Sequence, residues 1–262
     1  MRSLNIGATG MLAQQTNVEV ISNNIANMNT TAYSRRRAEF HDLIYQNMRR
    51  VGSSSSDSGT IVPSGVQLGM GVKTAAVYRI SERGSMISTD NPLDLGIQGK
   101  GYFQVELPGG KGTAFTKDGS FQLSTDGELV THDGYTVMPG ITIPSDATGV
   151  TINQSGEVWV KIDGESEQVN VGQLELATFA NDAGLEAIGD NLFVETTASG
   201  QANVAQPATP GYGTILQGFL EASNVNVVSE ITELVSAQRA YEMNSKVIQT
   251  SDQMMSTVNQ MK

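Results

Sequence analysis

Apolar side chains recur every seven residues at the start of the chain. They are Leu4, Met11, Val18 and Ile25. Because an α-helix has about 3.6 residues per turn, a repeat of seven places these side chains along one narrow stripe. The pattern predicts an N-terminal helix whose stripe packs against a second helix.

The same repeat returns at the end of the chain. One stripe consists of Val227, Leu234, Tyr241, Ile248 and Met255, and a second stripe beside it consists of Ala240, Val247, Met254 and Met261. A sustained repeat of seven is typical of a coiled coil, whereas a helix on a globular core has a broader stripe of period 3.6. We therefore expect the two terminal helices to pair antiparallel as a coiled coil. Two ordinary core helices are the alternative.

Both terminal segments are poor in the apolar surface that would order long helices in isolation. Small or polar residues stand at the neighbouring positions, namely Gly7, Gln14, Ala237, Asn244 and Ser251. Isolated helices of this kind are marginally stable in water. We expect other chains to complete these helices, and in a free monomer we expect both ends to be largely unfolded.

The middle of the chain has a different pattern, of short alternating runs separated by turn residues. Asp-Gly steps begin at residues 118, 126 and 133, and similar turn sequences begin at 155 and 163. Asp-Gly between alternating runs is a strong hairpin signal, because glycine tolerates positive φ. The middle is therefore predicted to be antiparallel β structure.

Together the patterns predict an α+β fold, with long N- and C-terminal helices pairing as an inner coiled coil around an antiparallel β-rich middle domain. We expect residues 1–33 and 219–262 to form the helical assembly domain and residues 71–205 to form the outer β body. Residues 34–70 and 206–218 would be connectors. The serine run at 53–58 predicts an extended or mobile loop in the first connector.

Charge and composition narrow the classes of function. The 262-residue chain has a formal net charge of −11, which argues against nucleic-acid binding. Residues 51–218 carry seven basic and 19 acidic residues, so we expect this part to face outward into solvent. The chain has no cysteine, which excludes disulfides, thiolate metal sites and a cysteine nucleophile.

No segment predicts membrane insertion or a cleaved signal peptide. The chain has no 18-residue apolar run and no short apolar core near its start. These features indicate a cytoplasmic protein, unless the chain leaves the cell by a route that needs no cleaved signal.

Few residues suggest chemistry, and we predict no catalytic residue, cofactor or metal. His41 and His132 stand outside any metal-binding motif. Gly96 to Gly101 resembles a phosphate loop only in its glycine content, and Asp118, Asp126 and Asp133 each precede a turn glycine. Arg35 to Arg37 would pair with acidic residues of neighbouring subunits or form a solvated face. A secreted β-rich enzyme acting on cell-wall glycan is the alternative from another class, and it would need a cleft with paired carboxylates.

Both ends of the chain resemble the bacterial flagellar rod and hook family. The N-terminal part from Thr9 to Tyr33 is similar to that family's rod signature, and the C-terminal parts from Leu216 to Glu230 and from Gln238 to Lys246 are similar to its other end. Within the middle, the stretches Val62 to Val72, Asp118 to Phe121 and Gly172 to Leu192 are similar to the distal rod members of the family. Two residues depart from the family pattern, since Ala32 stands where glycine is usual and Ser34 where lysine is common.

The resemblance implies a structural subunit of the distal rod, which polymerises into a rigid hollow drive shaft and transmits torque from motor to hook. The shaft would span the periplasm to the outer membrane, with export through the flagellar type III apparatus. Implied partners are further copies of the chain, the proximal rod proteins, the hook protein, and the peptidoglycan and outer-membrane bushing rings. A proximal rod subunit is the alternative within the family. A trimeric coiled-coil adhesin would need a continuous stalk and an anchor.

The stretch SNNIANMN, residues 22–29, is unusually rich in asparagine for a helix. Amide side chains can donate and accept hydrogen bonds across subunits and are also well solvated before assembly. We therefore predict self-assembly roles for Asn23, Asn24, Asn27 and Asn29. The same role is predicted for the nine apolar positions named above, which are Leu4, Met11, Val18, Ile25, Val227, Leu234, Tyr241, Ile248 and Met255. The alternative for Asn27 and Asn29 is that they end the helix.

Overall fold

The computed structural model describes residues 2–52, 64–109, 112–164 and 167–261. The serine run at 53–58 lies outside the described residues. The helices are α1 (Arg2–Ala26) and α2 (Val227–Gln260). The strands in chain order are β1 (Arg36–Asp42), β2 (Tyr45–Arg49), β3 (Val66–Gly69), β4 (Val72–Arg79), β5 (Met86–Ser88), β6 (Leu95–Gln98), β7 (Tyr102–Glu106), β8 (Thr113–Thr116), β9 (Gln122–Leu123), β10 (Leu129–Val130), β11 (Ala147–Ile152), β12 (Glu157–Ile162), β13 (Val169–Gln173), β14 (Leu176–Thr178), β15 (Glu186–Gly189), β16 (Leu192–Val194), β17 (Asn203–Ala205), β18 (Thr214–Gln217) and β19 (Phe219–Glu221).

The chain forms two compact units, and each contains segments that are distant in sequence. The helical unit comprises the described residues of Met1–Ala26, Arg36–Arg79 and Asn226–Lys262, and the β unit comprises those of Asn27–Arg35 and Ile80–Val225. The α+β fold with helices at both ends and a β-rich middle is therefore confirmed.

The helical unit contains α1, α2 and two antiparallel strand pairs. Strand β1 pairs with β4, and β2 pairs with β3. The β2–β3 pair is exposed along almost its whole length on both faces. The first connector expected from the sequence therefore contains strands.

The β unit is built around a six-stranded antiparallel sheet with the order β15-β16-β8-β7-β14-β17. Successive side chains of β7 point to opposite faces of this sheet. They therefore belong to two separate apolar clusters of the β unit. Phe103 and Val105 belong to the larger cluster, and Tyr102 belongs to the smaller one with Phe115. A three-stranded sheet, β11-β12-β13, contributes Val158 and other residues to the larger cluster.

Most of the predicted turns connect strands as expected. Residues 124–128 turn between β9 and β10, residues 153–157 turn between β11 and β12, and residues 131–135 form the next tight turn. The prediction that Asp118-Gly119 forms a hairpin turn is wrong. A Cβ at Gly119 would lie 1.7 Å from the carbonyl oxygen of Leu95, so this glycine allows two backbone segments to approach closely.

Both terminal helices are shorter than their expected segments. Helix α1 ends at Ala26 instead of residue 33, because a turn follows in which the amide of Thr30 donates to the carbonyl of Asn27 at 3.2 Å. Helix α2 begins at Val227 instead of residue 219, because residues 219–221 pair with β5 as strand β19. The side chain of Asn226 then caps α2 by accepting from the amides of Val228 and Ser229.

Candidate self-assembly surface

Helices α1 and α2 pack side by side and antiparallel within the helical unit. At one end the hydroxyl of Ser251 donates to the hydroxyl of Ser3 at 3.1 Å. At the other end the amide of Asn24 donates to Glu230 at 3.0 Å. Since the partner number falls as the α1 number rises, the two helices run in opposite directions, as the sequence predicted.

Two glycines allow α1 to approach α2 closely. A Cβ at Gly7 would lie 2.9 Å from Cγ1 of Ile248, and a Cβ at Gly10 would lie 2.9 Å from the amide nitrogen of Asn244. Both distances are shorter than a carbon side chain tolerates. The small residues Ala237 and Ser251 are buried on the facing side of α2. The contact between α1 and α2 therefore contains the small or polar residues noted in the sequence, namely Gly7, Ala237, Asn244 and Ser251.

Asn24, in the SNNIANMN stretch, is buried and its side-chain amide is hydrogen-bonded through both its nitrogen and its oxygen. It is 1% exposed, and its amide nitrogen donates to Glu230 and to the carbonyl of Arg36 at 2.8 Å. Its amide oxygen accepts from the backbone nitrogen of Arg36 at 2.9 Å. Glu230 is 2% exposed. Asn24 thus fixes the start of β1 to the helix pair inside one copy of the chain.

The other asparagines of the stretch lie nearer the surface. Asn23 and Asn29 are exposed. Asn27 follows the last residue of α1, and its side-chain oxygen accepts from the hydroxyl of Thr30 at 3.1 Å. The alternative that Asn27 ends the helix therefore agrees with its position. The assembly roles of these asparagines stay predictions.

Most of the predicted apolar assembly residues are half-buried in one copy of the chain. This group comprises Leu4, Met11, Val18, Ile25, Val227, Leu234, Ile248 and Met255. Tyr241 is 43% exposed and, with Val18, lines a groove of about 340 Å³ on the helix pair. One partner helix covers only part of each stripe, so these residues retain apolar surface for further contacts.

Other apolar side chains of the helix pair are largely exposed. They include Ile6, Leu12, Val228, Ile231, Val247, Met254 and Met261. Leu12 is 63% exposed and Val228 is 76% exposed. Val247, Met254 and Met261 belong to the second C-terminal stripe found in the sequence. Exposed apolar surface marks interaction sites in soluble proteins, and these residues are our candidate self-assembly surface.

The exposed β2–β3 pair extends the apolar surface of the helical unit. Tyr45, Met48, Val66 and Leu68 are all exposed on it. A two-stranded pair without a covering layer is marginally stable in water. We add this pair to the candidate surface, which the heptad pattern alone did not reveal.

The arginine run at 35–37 makes contacts within one copy of the chain. Nη2 of Arg37 donates to Glu39 at 2.9 Å and to the hydroxyl of Tyr78 at 2.6 Å. The hydrogen bond from Arg37 lowers the pKa of Glu39, and the hydrogen bond to Glu39 raises the pKa of Tyr78. All three groups are on the surface, so this cluster adds little stability.

The side chain of Asn224 connects segments of the β unit, which the sequence pattern did not reveal. Its side-chain oxygen accepts from the amide of Arg35 at 2.6 Å, and its side-chain nitrogen donates to the carbonyls of Ile80 and Glu82. It therefore joins three chain segments inside the β unit. The motif Ser-Asn-Val-Asn was visible in the sequence, but its partners lie more than 140 residues away.

The remaining candidates for chemistry occupy structural positions. A carboxylate oxygen of Asp118 accepts from the amide and hydroxyl of Ser120, as in an Asx turn. His132 lies 3.1 Å from the side chain of Gln122. Gly96 lies in β6 and Gly101 precedes β7, so no helix follows this glycine-rich stretch as a phosphate loop requires. Among the described residues no group of three or more His, Cys, Asp or Glu side chains is placed to hold a metal ion. Neither α1 nor α2 is apolar enough over its length to cross a membrane.

Three family models, all of flagellar proteins, match the chain. Residues 4–33 match the flagella basal body rod protein model, residues 96–160 match the flagellar hook protein FlgE/F/G D1 domain, and residues 216–261 match the flagellar basal body rod FlgEFG protein C-terminal model. The first and third matches cover α1 and α2, and the second lies in the β unit.

Relatives from several bacteria match over nearly the whole length of the chain. The chain is 59% identical to the flagellar basal-body rod protein FlgG of Caulobacter vibrioides, with all of both chains covered. It is 47% identical to FlgG of Borreliella burgdorferi over 100% of this chain and 99% of that one, and 41% identical to FlgG of Bacillus subtilis over 97% of each. The chain belongs to the family of flagellar basal-body rod proteins.

Proposed function

We propose that this chain is a structural subunit of the distal rod of the bacterial flagellum. Many copies polymerise into a rigid hollow shaft that transmits torque from the motor to the hook. The observation that carries the proposal is the apolar surface left exposed on the antiparallel helix pair, in a chain whose full-length relatives are named rod proteins.

The helix pair has the properties of an incomplete layer. Its closest contact uses Gly7 and Gly10, and large apolar side chains such as Leu12 and Met254 stay exposed. Each large side chain such as Leu12 or Met254 gains about 1.5–3 kcal/mol when it moves from water into a packed contact. Neighbouring copies supply such contacts, and the two helices then form an inner coiled-coil layer of the shaft.

The distal position is supported by two observations. The stretch Val62 to Val72 is similar to the distal rod members of the family, and the full-length relatives carry the FlgG name. In that position the shaft adjoins the proximal rod proteins on one side and the hook protein on the other. It lies in the periplasm and passes through the peptidoglycan and outer-membrane rings.

Export through the flagellar type III apparatus fits the weak terminal helices. A chain whose ends gain their stability from neighbouring copies need not be unfolded at those ends before it is threaded. The work of such a subunit is mechanical, and it requires no catalytic residue, cofactor or metal.

The first test is to place a charge in the helix contact. In an Ile248→Asp variant the carboxylate would face Gly7 at the closest part of the contact, and burying an unpaired charge costs several kcal/mol. We expect the variant to be secreted but to form no rods, as judged by electron microscopy of isolated basal bodies and by loss of swimming.

The matched control is Gln249→Asp, which places the same charge at the neighbouring exposed position. This control should assemble and swim. Normal rods from the Ile248→Asp variant would show that residue 248 does not lie in a buried contact of the shaft and would overturn the proposed role of the helix pair.

A further inference from the structure

The β unit contains a cavity of about 410 Å³ whose wall carries three basic side chains. They are Arg83, Lys100 and Lys117, which come from three separate segments of the chain. Tyr102 and Phe179 form an aromatic part of the wall, and Glu82 and Asp182 also line it. No residue of this cavity belongs to the self-assembly surface described above.

The glycine-rich stretch noted in the sequence holds one of these lysines in place. Gly99 and Gly101 flank Lys100 and have φ values of +142° and +149°, which favour glycine. The amide of Gly213 donates to the carbonyl of Lys100 at 2.7 Å, and a Cβ at Gly99 would lie 2.3 Å from the Cα of Gly213. These backbone contacts therefore hold the turn in place, and with it the backbone of Lys100.

Lys117 is held against the aromatic part of the wall. It directly follows β8, and its Nζ lies 5.3 Å from the centre of the Tyr102 ring, which is a cation–π contact. The Tyr102 ring is buried and meets the edge of Phe179 with ring centres 5.7 Å apart. The ammonium group is thus directed by packed side chains.

The charge of this cavity contrasts with that of the surrounding chain. Residues 51–218 contain 19 acidic and only seven basic residues, and three of those seven line this one cavity. Within the part of the chain that the structure describes, Arg83, Lys100 and Lys117 make no ion pair. Their charges therefore remain available to a carboxylate from another molecule.

We propose that this cavity binds acidic side chains of a neighbouring copy of the same chain in the rod. The inference rests on the proposed function, since only a polymer holds a second copy against the cavity. Copies with a net charge of −11 repel one another when packed closely, and a basic cavity that takes up carboxylates from the neighbour offsets this repulsion. Each copy carries both the cavity and the acidic surface, so the contact repeats along the shaft.

The test uses basal bodies isolated from cells that produce a mixture of ¹⁴N-labelled and ¹⁵N-labelled subunits. A carbodiimide, which joins an amine to a carboxylate that touches it, is applied to the intact rods. We expect cross-linked peptides of mixed isotope in which Lys100 or Lys117 is joined to an Asp or Glu of another copy. Products that join these lysines only to acidic residues of the same copy, or to a different protein or to cell-wall peptide, would overturn the proposal.

A charge-reversal variant gives an independent measurement. Lys100→Glu with Lys117→Glu should raise the fraction of secreted but unassembled subunit by about tenfold, which corresponds to about 1.4 kcal/mol. Lys100→Arg with Lys117→Arg keeps the charge and should assemble normally. Lys161→Glu changes an exposed lysine of the same unit outside the cavity and is the matched control. An equal effect of Lys161→Glu, or no effect of the double reversal, would contradict a specific site.

These outcomes separate this proposal from the proposed function. If the unaltered chain forms no rods, the proposed function is wrong. If rods form normally from the double reversal and from the unaltered chain alike, only the binding site is wrong. Circular dichroism of the secreted variants distinguishes failed assembly from failed folding of the β unit.

Discussion

At the scale of single residues, polar and small side chains make contacts between α1 and α2 that the pattern of apolar residues does not reveal. Asn24 and Glu230 are the clearest pair, since both are almost fully buried and joined at 3.0 Å. A buried polar group whose partner is removed loses its hydrogen bond and stays desolvated, which costs about 1–3 kcal/mol.

An Asn24→Ala variant should therefore weaken the helix contact by about 1–3 kcal/mol, because Glu230 and the backbone of Arg36 lose their partner. The measurement is the urea concentration at which isolated rods dissociate, which should fall. Ser22→Ala is the matched control because Ser22 is exposed on the same helix, and it should dissociate near the normal concentration. Equal behaviour of the two variants would mean that the Asn24 bonds do not hold the helix pair together in the rod.

Ala32 stands where the family usually has glycine, and its backbone conformation is strained. It is buried and has a φ of +54°, a left-handed conformation that costs an L-residue roughly 1–2 kcal/mol. Its amide also donates to the carbonyl of Glu221 at 2.8 Å, so the conformation is fixed by the fold. Glycine, which the family usually has here, adopts this conformation without strain.

Ala32→Gly should therefore stabilise the β unit, by about 0.5–1 kcal/mol after allowance for the greater freedom of glycine in the unfolded chain. The free energy of unfolding of the soluble monomer, followed by Trp159 fluorescence in urea, measures the change. Thr31→Gly, at the preceding position outside the left-handed region, is the control and should be destabilising. A less stable Ala32→Gly variant would show that burial of the Ala32 methyl group outweighs the strain.

At the scale of elements, the antiparallel helix pair makes a sharp prediction about register. The hydroxyl groups of Ser3 and Ser251 lie 3.1 Å apart, which is close enough for a disulfide between cysteines at these positions. The chain has no cysteine of its own, so an engineered pair forms without competition.

A Ser3→Cys, Ser251→Cys variant should become cross-linked under mild oxidation of isolated rods, and the product should run as a monomer on a denaturing gel. Ser3→Cys with Ser236→Cys places the second cysteine about four turns away along α2 and should stay reduced. A cross-link in the second variant, or only dimers in the first, would contradict the antiparallel pairing of α1 and α2 within one copy.

The sequence predicted these elements to different degrees, for physical reasons. The repeat of seven depends on local helical geometry, so it located both helices. Their antiparallel direction was expected because the chain leaves for the β-rich middle and then returns. The ends of the helices depend on tertiary contacts, such as the pairing of residues 219–221 with β5, so they differ from the bounds of the expected helical segments. Asp118-Gly119 has the sequence of a hairpin turn, yet its glycine is required because the carbonyl of Leu95 packs against it. That long-range contact is not visible in the local sequence. The exposed β2–β3 pair was missed because its strands have no buried face to create a pattern.

At the scale of the whole molecule, stability should differ sharply between the two units. The β unit has a continuous apolar interior around Phe103, Phe121 and Leu176, whereas the helix pair leaves much of its apolar surface in water. Regions with few buried contacts open most readily.

Limited proteolysis of soluble monomer should therefore remove the segments of α1 and α2 first and leave residues 80–225 intact, since β18 and β19 pair with β6 and β5. The β body expected from the sequence, residues 71–205, would end before these two strands. Mass spectrometry of the surviving fragment measures the boundary. The same protease should leave both helices protected in isolated rods. Full-length, protected and helical ends in the free monomer would show that the helices are ordered without assembly.

Gly7 and Gly10 have a consequence for anyone who wishes to engineer this chain. Replacing either by alanine would raise the intrinsic helix propensity of α1 by roughly 1 kcal/mol, and a peptide of α1 alone would become more helical. In the complete chain the added Cβ would meet a side-chain atom of Ile248 or Asn244 at 2.9 Å, so that side chain would have to shift. Intrinsic helix propensity and the contact between α1 and α2 within one copy thus favour different residues at these two positions.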